Sequence, residues 1–165
     1  MFDKIKSLLK KEKKDNIILI ALDGVRLDKY RNFPNFSPLL NKGTLFSNMI
    51  TYSPHSITSF HAIFSGLYGN RSGVDSYFSS LKFKKEMCKT LPQYLKEKGY
   101  YCFGDSMNEL VIPEQGFDNL IIQKEFSDFI DSHKEMINEV AEKNKRGKHC
   151  FLHLHCSDLH NSVVV

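Results

Sequence analysis

Residues 16–28 read NIILIALDGVRLD, an unbroken apolar run closed by Asp23 and Gly24. An isoleucine-rich run without polar alternation is the pattern of a strand covered on both faces in a parallel sheet. At the carboxyl end of such a strand, Asp23 would project where α/β sheets gather their ligand sites. Taken alone, an Asp-Gly pair is equally a turn or a helix-capping signal. The next informative stretch, SPHSITSFHAIFSGLYGNRSGV from Ser53 to Val74, shifts the balance. It crowds Ser53, Ser56, Thr58 and Ser59 ahead of a short apolar helix that ends at Ser65-Gly66. Such a cluster can be a serine/threonine N-cap that contributes stability and nothing more. It can also set a hydroxyl beside the first-turn amides that bind anions. An unaided hydroxyl is too weak an acid to attack an ester at neutral pH, and a cation held by Asp23 would supply the activation. The pairing points to chemistry on a phosphate or sulfate ester.

The rest of the chain extends the same pattern. FSPLLNKG predicts a helix stopped by Gly43, and TLFSNMITY alternates as a second strand would. Thr90 to Gly99 predicts a helix with Thr90 as N-cap and Pro92 in the first turn, followed by a strand from Tyr100 to Phe103. Phe126, Phe129, Ile130, Met136, Ile137 and Val140 recur at helical spacing between about Glu125 and Asn144, and HCFLHLHC after Gly147 reads as a further buried strand. Strands alternating with helices predict an α/β layer fold with a largely parallel sheet flanked by helices. Two units are expected: residues 1–14 as an amphipathic basic helix, with Phe2, Ile5, Leu8 and Leu9 opposite lysines, and residues 15–165 as the α/β domain.

Bulk properties narrow the partners. With 165 residues, 41% hydrophobic and 25% charged, the chain is long enough for one real core. Its net charge of +4 comes from lysines gathered before Asp15 and between Lys82 and Lys89, which argues against a nucleic-acid face. One short basic helix with few large apolar residues argues against a membrane surface. The absence of a secretory pattern suggests the cytoplasm. Cys88, Cys102, Cys150 and Cys156 have no metal-ligand spacing and read as reduced thiols.

At DGVRLD and SITSFHAIFSG the chain resembles the sulfatase family of the alkaline phosphatase-like superfamily. The likeness runs on through FPNFSPLLNKGTLFSNMITYSP, KTLPQYLKEKGYYCFGDSMN, PEQGFDNL and CFLHLHCSDLHNS. It implies Asp23 and Ser56 as metal ligands, Ser56 as nucleophile, Ser59 and His160 as substrate contacts, and a divalent cation such as zinc, calcium, manganese or magnesium. The alternative for His155, Asp158 and His160 is a metal-binding group at the last strand. Family members that convert their nucleophile to formylglycine carry Pro and Arg where this chain has Thr58 and Phe60. The resemblance therefore implies a plain serine, and with it a hydrolase or transferase of phosphate as well as sulfate esters. The later Asp-His or Asp-Asn pair of relatives has no counterpart before Val165. This predicts a C-terminally truncated member, with a second expectation beside the enzyme: a catalytically incomplete remnant that binds an anion or a partner. An open parallel sheet would then expose a strand edge, through which the chain could self-associate or meet a companion chain.

Overall fold

The apolar runs that dominate the sequence form the four strands of one all-parallel sheet, in the order β1-β4-β2-β3, in a computed structural model that describes residues 14–26, 28, 34–123 and 129–157. The strands are β1 (Ile17–Leu22), β2 (Tyr100–Ser106), β3 (Asn119–Ile122) and β4 (His149–Cys156). Among the described residues five helices accompany them: α1 (Ser37–Lys42), α2 (Ser56–Ser65), α3 (Gly69–Ser72), α4 (Leu91–Glu97) and α5 (Phe129–Lys145). Short 3-10 turns occupy Pro34–Phe36 and Tyr77–Lys82. The predicted N-terminal helix lies outside the described residues, apart from Lys14.

β4 is the spine of the sheet, paired to β1 from Ile17↔Phe151 to Leu22↔Cys156 and to β2 from Tyr100↔His149 to Gly104↔His153. Its continuous apolar reading has a direct cause, since both faces are covered. Phe151 meets the α2 side, in a core with Ile57, Phe60, Phe64 and Cys102. Leu152 and Leu154 meet the α5 side, with Phe103, Met136 and Val140. Burying each of these large side chains stabilises the fold by about 2–3 kcal/mol.

The helices end where the sequence says they should. Gly66 closes α2 in the left-handed conformation (φ 67°), its N–H donating to the Ala62 carbonyl. α4 opens with a capping box in which Thr90 and Gln93 exchange side-chain-to-backbone hydrogen bonds. The GFD stretch before β3 locks α4 to β2. Phe117 packs over Gly104, while Asp118 accepts the Cys102 N–H at 2.8 Å and pairs with Lys96 at 2.7 Å.

Two strand expectations are corrected. Residues 44–52 form no strand. Phe46 is 69% and Ile50 89% exposed, so the alternation of TLFSNMITY has no buried face to serve. β1 is an edge strand rather than one covered on both faces. Leu19 and Ala21 pack into the core, but Ile18 and Ile20 on the opposite face are 52% and 55% exposed. β3 and the two short helical segments after Gly66 are too short to carry a periodic signal in the sequence.

Candidate active site

β1 and α2 deliver the predicted pair to one place. Asp23 follows the last residue of β1, and its backbone N–H is fixed by the Cys156 carbonyl at 2.9 Å, one rung beyond the β1–β4 ladder. Ser56 is the first residue of α2. Its hydroxyl donates to Asp23 Oδ2 at 2.8 Å, across 33 residues of sequence. Both side chains are partly accessible and open into a cavity of about 510 Å³, walled by the end of β1, by Thr51 and Ser53 to Ser56, and by Phe60 and Ile63.

α2 presents the pocket with an uncapped N-terminus. His55 stands at the N-cap in extended conformation and makes no side-chain cap. The serine/threonine cluster therefore does not serve as the cap that the simpler expectation assigned to it. It ties the approach loop together instead: Thr58 Oγ1 donates to Ser53 Oγ at 2.5 Å, and Ser59 Oγ donates to the Ser53 carbonyl at 2.8 Å and lies 3.0 Å from Thr51 Oγ1. The amides of Ser56, Ile57 and Thr58, which have no acceptor within a helix, sit beside the nucleophile candidate. Ser59 lines the cavity, but its proton is committed to the loop.

His155 closes the site from behind. It is fully buried on the α2 face of β4, its ring 4.9 Å from that of Phe60, and its Nε2 is 3.5 Å from Asp23 Oδ2. His153 lies on the same face, stacked on His155 at 6.2 Å and in edge contact with Phe64. Its Nδ1–H donates to the Leu19 carbonyl at 3.3 Å, while Nε2 has no hydrogen-bond partner among the described residues. Burial holds the His153 imidazole down to about 4, against its ordinary 6.5, so it is neutral at physiological pH. His153 is thus hydrogen-bonded through one ring nitrogen only.

Asp158 and His160 lie outside the described residues. Among the described residues, no three His, Cys, Asp or Glu side chains gather as a metal-binding group. The oxygens of Asp23 and Ser56 are the donor type that a hard divalent cation takes, and they would hold it as two of its ligands. The sequence reading missed a second cluster entirely. It consists of Asp105 on β2, His133 on α5 and Gln123 after β3, joined on the other face of the sheet. The spacing of His133, Met136 and Val140, one face of α5, was the available signal.

A parallel sheet with helices on both faces, carrying a carboxylate and a hydroxyl at its carboxyl edge, makes this a layered α/β protein with its candidate site at the strand ends. The chain belongs to the sulfatase family, whose model, Sulfatase, matches residues 3–162. Among solved structures it is similar to that of BT4656 in complex with its substrate D-glucosamine-2-N,6-O-disulfate, with a TM-score of 0.71 and 20% identity. That match covers 90% of this chain and 35% of the other, so the chain spans about a third of that protein's length. No curated protein matches it. Among the described residues, no helix is long and apolar enough to cross a membrane.

Proposed function

We propose that this chain carries the nucleophile half of a sulfatase-like, metal-dependent hydrolase or transferase that acts on sulfate or phosphate esters. The observation that carries the reading is the 2.8 Å hydrogen bond from Ser56 Oγ to Asp23 Oδ2 at the uncapped head of α2, inside a cavity. Asp23 orients the hydroxyl. The amides of the first turn face the non-bridging oxygens of the ester, where charge builds as Ser56 Oγ bonds to sulfur or phosphorus and the alcohol leaves. A bound divalent cation would supply the lowered hydroxyl pKa that makes Ser56 reactive. His160 is a substrate contact in this reading, and Ser59 a second hydroxyl at the same wall. The relative's complex with a sulfated sugar supports a sulfate ester as the first substrate to try.

The second reading, a binding remnant that lacks turnover, is favoured by the exposed apolar face of β1, where Ile18 and Ile20 are 52% and 55% exposed. In that reading residues 15–165 are a partial domain, and the open edge of β1, with Ile18 and Ile20 exposed beside it, receives a companion chain or a second copy. Assays with aryl sulfate, aryl phosphate and an aryl phosphodiester, each with zinc, manganese, calcium or magnesium, separate the two. The enzyme reading expects turnover with at least one pair and a loss of about 10³-fold or more in Ser56→Ala. No turnover under any combination, together with no calorimetric metal binding, would overturn it.

A further inference from the structure

The carboxyl end of the sheet contains a buried charge that the proposed chemistry does not use. Asp105 is 0% exposed on the face otherwise filled by Phe103, Leu152, Leu154, Met136 and Val140. Its Oδ2 accepts the His133 Nε2–H at 2.7 Å and the Gln123 side-chain amide, and its Oδ1 accepts the His155 backbone N–H at 2.7 Å. A core gains little from a buried carboxylate that apolar side chains could replace. Its location is therefore informative.

The β2–β4 ladder stops at Gly104↔His153, while β4 continues against β1 to Cys156 and β2 continues against β3 to Ser106. The two central strands part at this point, which is where open α/β sheets form their ligand crevice. One residue past the last rung, the Asp105 carboxylate takes over the role of the missing ladder and holds the β2-facing side of the β4 tip by the His155 N–H, while β1 holds the other side. The Gln123 N–H to the Ser106 carbonyl at 2.9 Å, and His133 from α5, hold Asp105 in turn. On the opposite face, the His155 ring stands 3.5 Å behind Asp23 Oδ2, and Asp23 accepts the Ser56 hydroxyl.

We propose that Asp105 is a positioning residue for the Asp23–Ser56 pair. It fixes the tip of β4 and so seats the His155 imidazole that backs the Asp23 carboxylate. The inference rests on the proposed function for its catalytic consequence alone, since the seating of His155 can be read without turnover. Groups that orient a ligating or reacting carboxylate from behind typically matter by about 10–100-fold.

The test compares Asp105→Ala, Asp105→Asn and Asp105→Glu with Val140→Ala, a control on the same face of the sheet that lies away from the site. All are assayed well below their melting temperatures. Asp105→Ala is expected to lower kcat about 10-fold or more, with KM changed by less than about 3-fold. Asp105→Asn keeps an acceptor for the His155 N–H and should recover most of the loss. Asp105→Glu keeps the charge but displaces the acceptor by a methylene, so it should behave like Asp105→Ala; it serves as the second probe if the alanine variant does not fold. Val140→Ala should lose melting temperature without losing kcat. In parallel, the His155 ring signals in ¹H–¹⁵N spectra should move in Asp105→Ala or Asp105→Glu and stay in place in Val140→Ala. This arm reports even if the wild type turns over no ester. Equal kcat values for the Asp105 variants and the control, or unmoved His155 ring signals, would overturn the proposal.

Discussion

Lowering the pH should weaken this fold through a single imidazole, and the size of the effect follows from where His153 sits. The side chain is 0% exposed between Phe60 and Phe64, and burial lowers it to about 4 from 6.5. Its folded value lies below its unfolded one, so between the two the unfolded chain binds more protons. Stability is therefore complete above about 6.5 and is lost as pH falls toward about 4. The full difference of ~2.5 units corresponds to about 3 kcal/mol, of which about 2 kcal/mol is already gone near pH 5 and almost none near pH 7.5. For a domain of this size that is about 4–8 °C in melting temperature. His153→Leu removes the titration at nearly constant volume and also removes the unpartnered Nε2. Urea unfolding of wild type and His153→Leu between about pH 7.5 and 5 isolates the contribution, because His61, also lowered by burial, is common to both. The variant should gain about 2 kcal/mol on the wild type across that interval. Parallel pH profiles would refute the reasoning, because they would mean that His153 takes up its proton as readily folded as unfolded.

Two further outcomes follow from packing. A Cβ on Gly104 would come within 2.6 Å of the Phe117 ring, so Gly104→Ala should cost about 1–3 kcal/mol by thermal denaturation, and an unchanged melting temperature would show that the ring moves freely. Burial and the nearby Asp118 carboxylate raise the Cys102 thiol to about 11, and burial raises Cys150, so both should resist iodoacetamide in the native protein and label fully in denaturant, as read by peptide mass spectrometry. Native labelling as fast as in denaturant would contradict this.

The parts of the site that could be read in the sequence were those where chemistry and local structure coincide. Asp23 ends an apolar run and Ser56 opens a helix, so each announces its own position, and the parallel sheet brings the two strand-end features together. Properties set by the order of strands were not legible. The run Ile17–Leu22 is apolar whether a strand lies inside a sheet or at its edge, and only the pairing with β4 on one side places it at the edge. β3 is four residues with exposed ends, too short to generate a period. The helical spacing of His133 with Met136 and Val140 marks an inward-facing side chain, but its pairing with Asp105 lies in a contact across 28 residues, from a strand tip to a helix face. The alternation of residues 44–52 was a false signal for the converse reason: a period of two specifies a strand only when a neighbour is available to pair with it.

The register of β1 against β4 also governs when the opening strand can be placed. Leu19 meets His153 across 134 residues, and Asp23 is anchored by the Cys156 carbonyl at 2.9 Å. On a ribosome, the opening strand must wait until β4 has been synthesised before it finds this neighbour. Closing so long a loop is among the slow events of folding and leaves apolar edges uncovered in the meantime. β1, and Asp23 at its end, are therefore set in place late in folding.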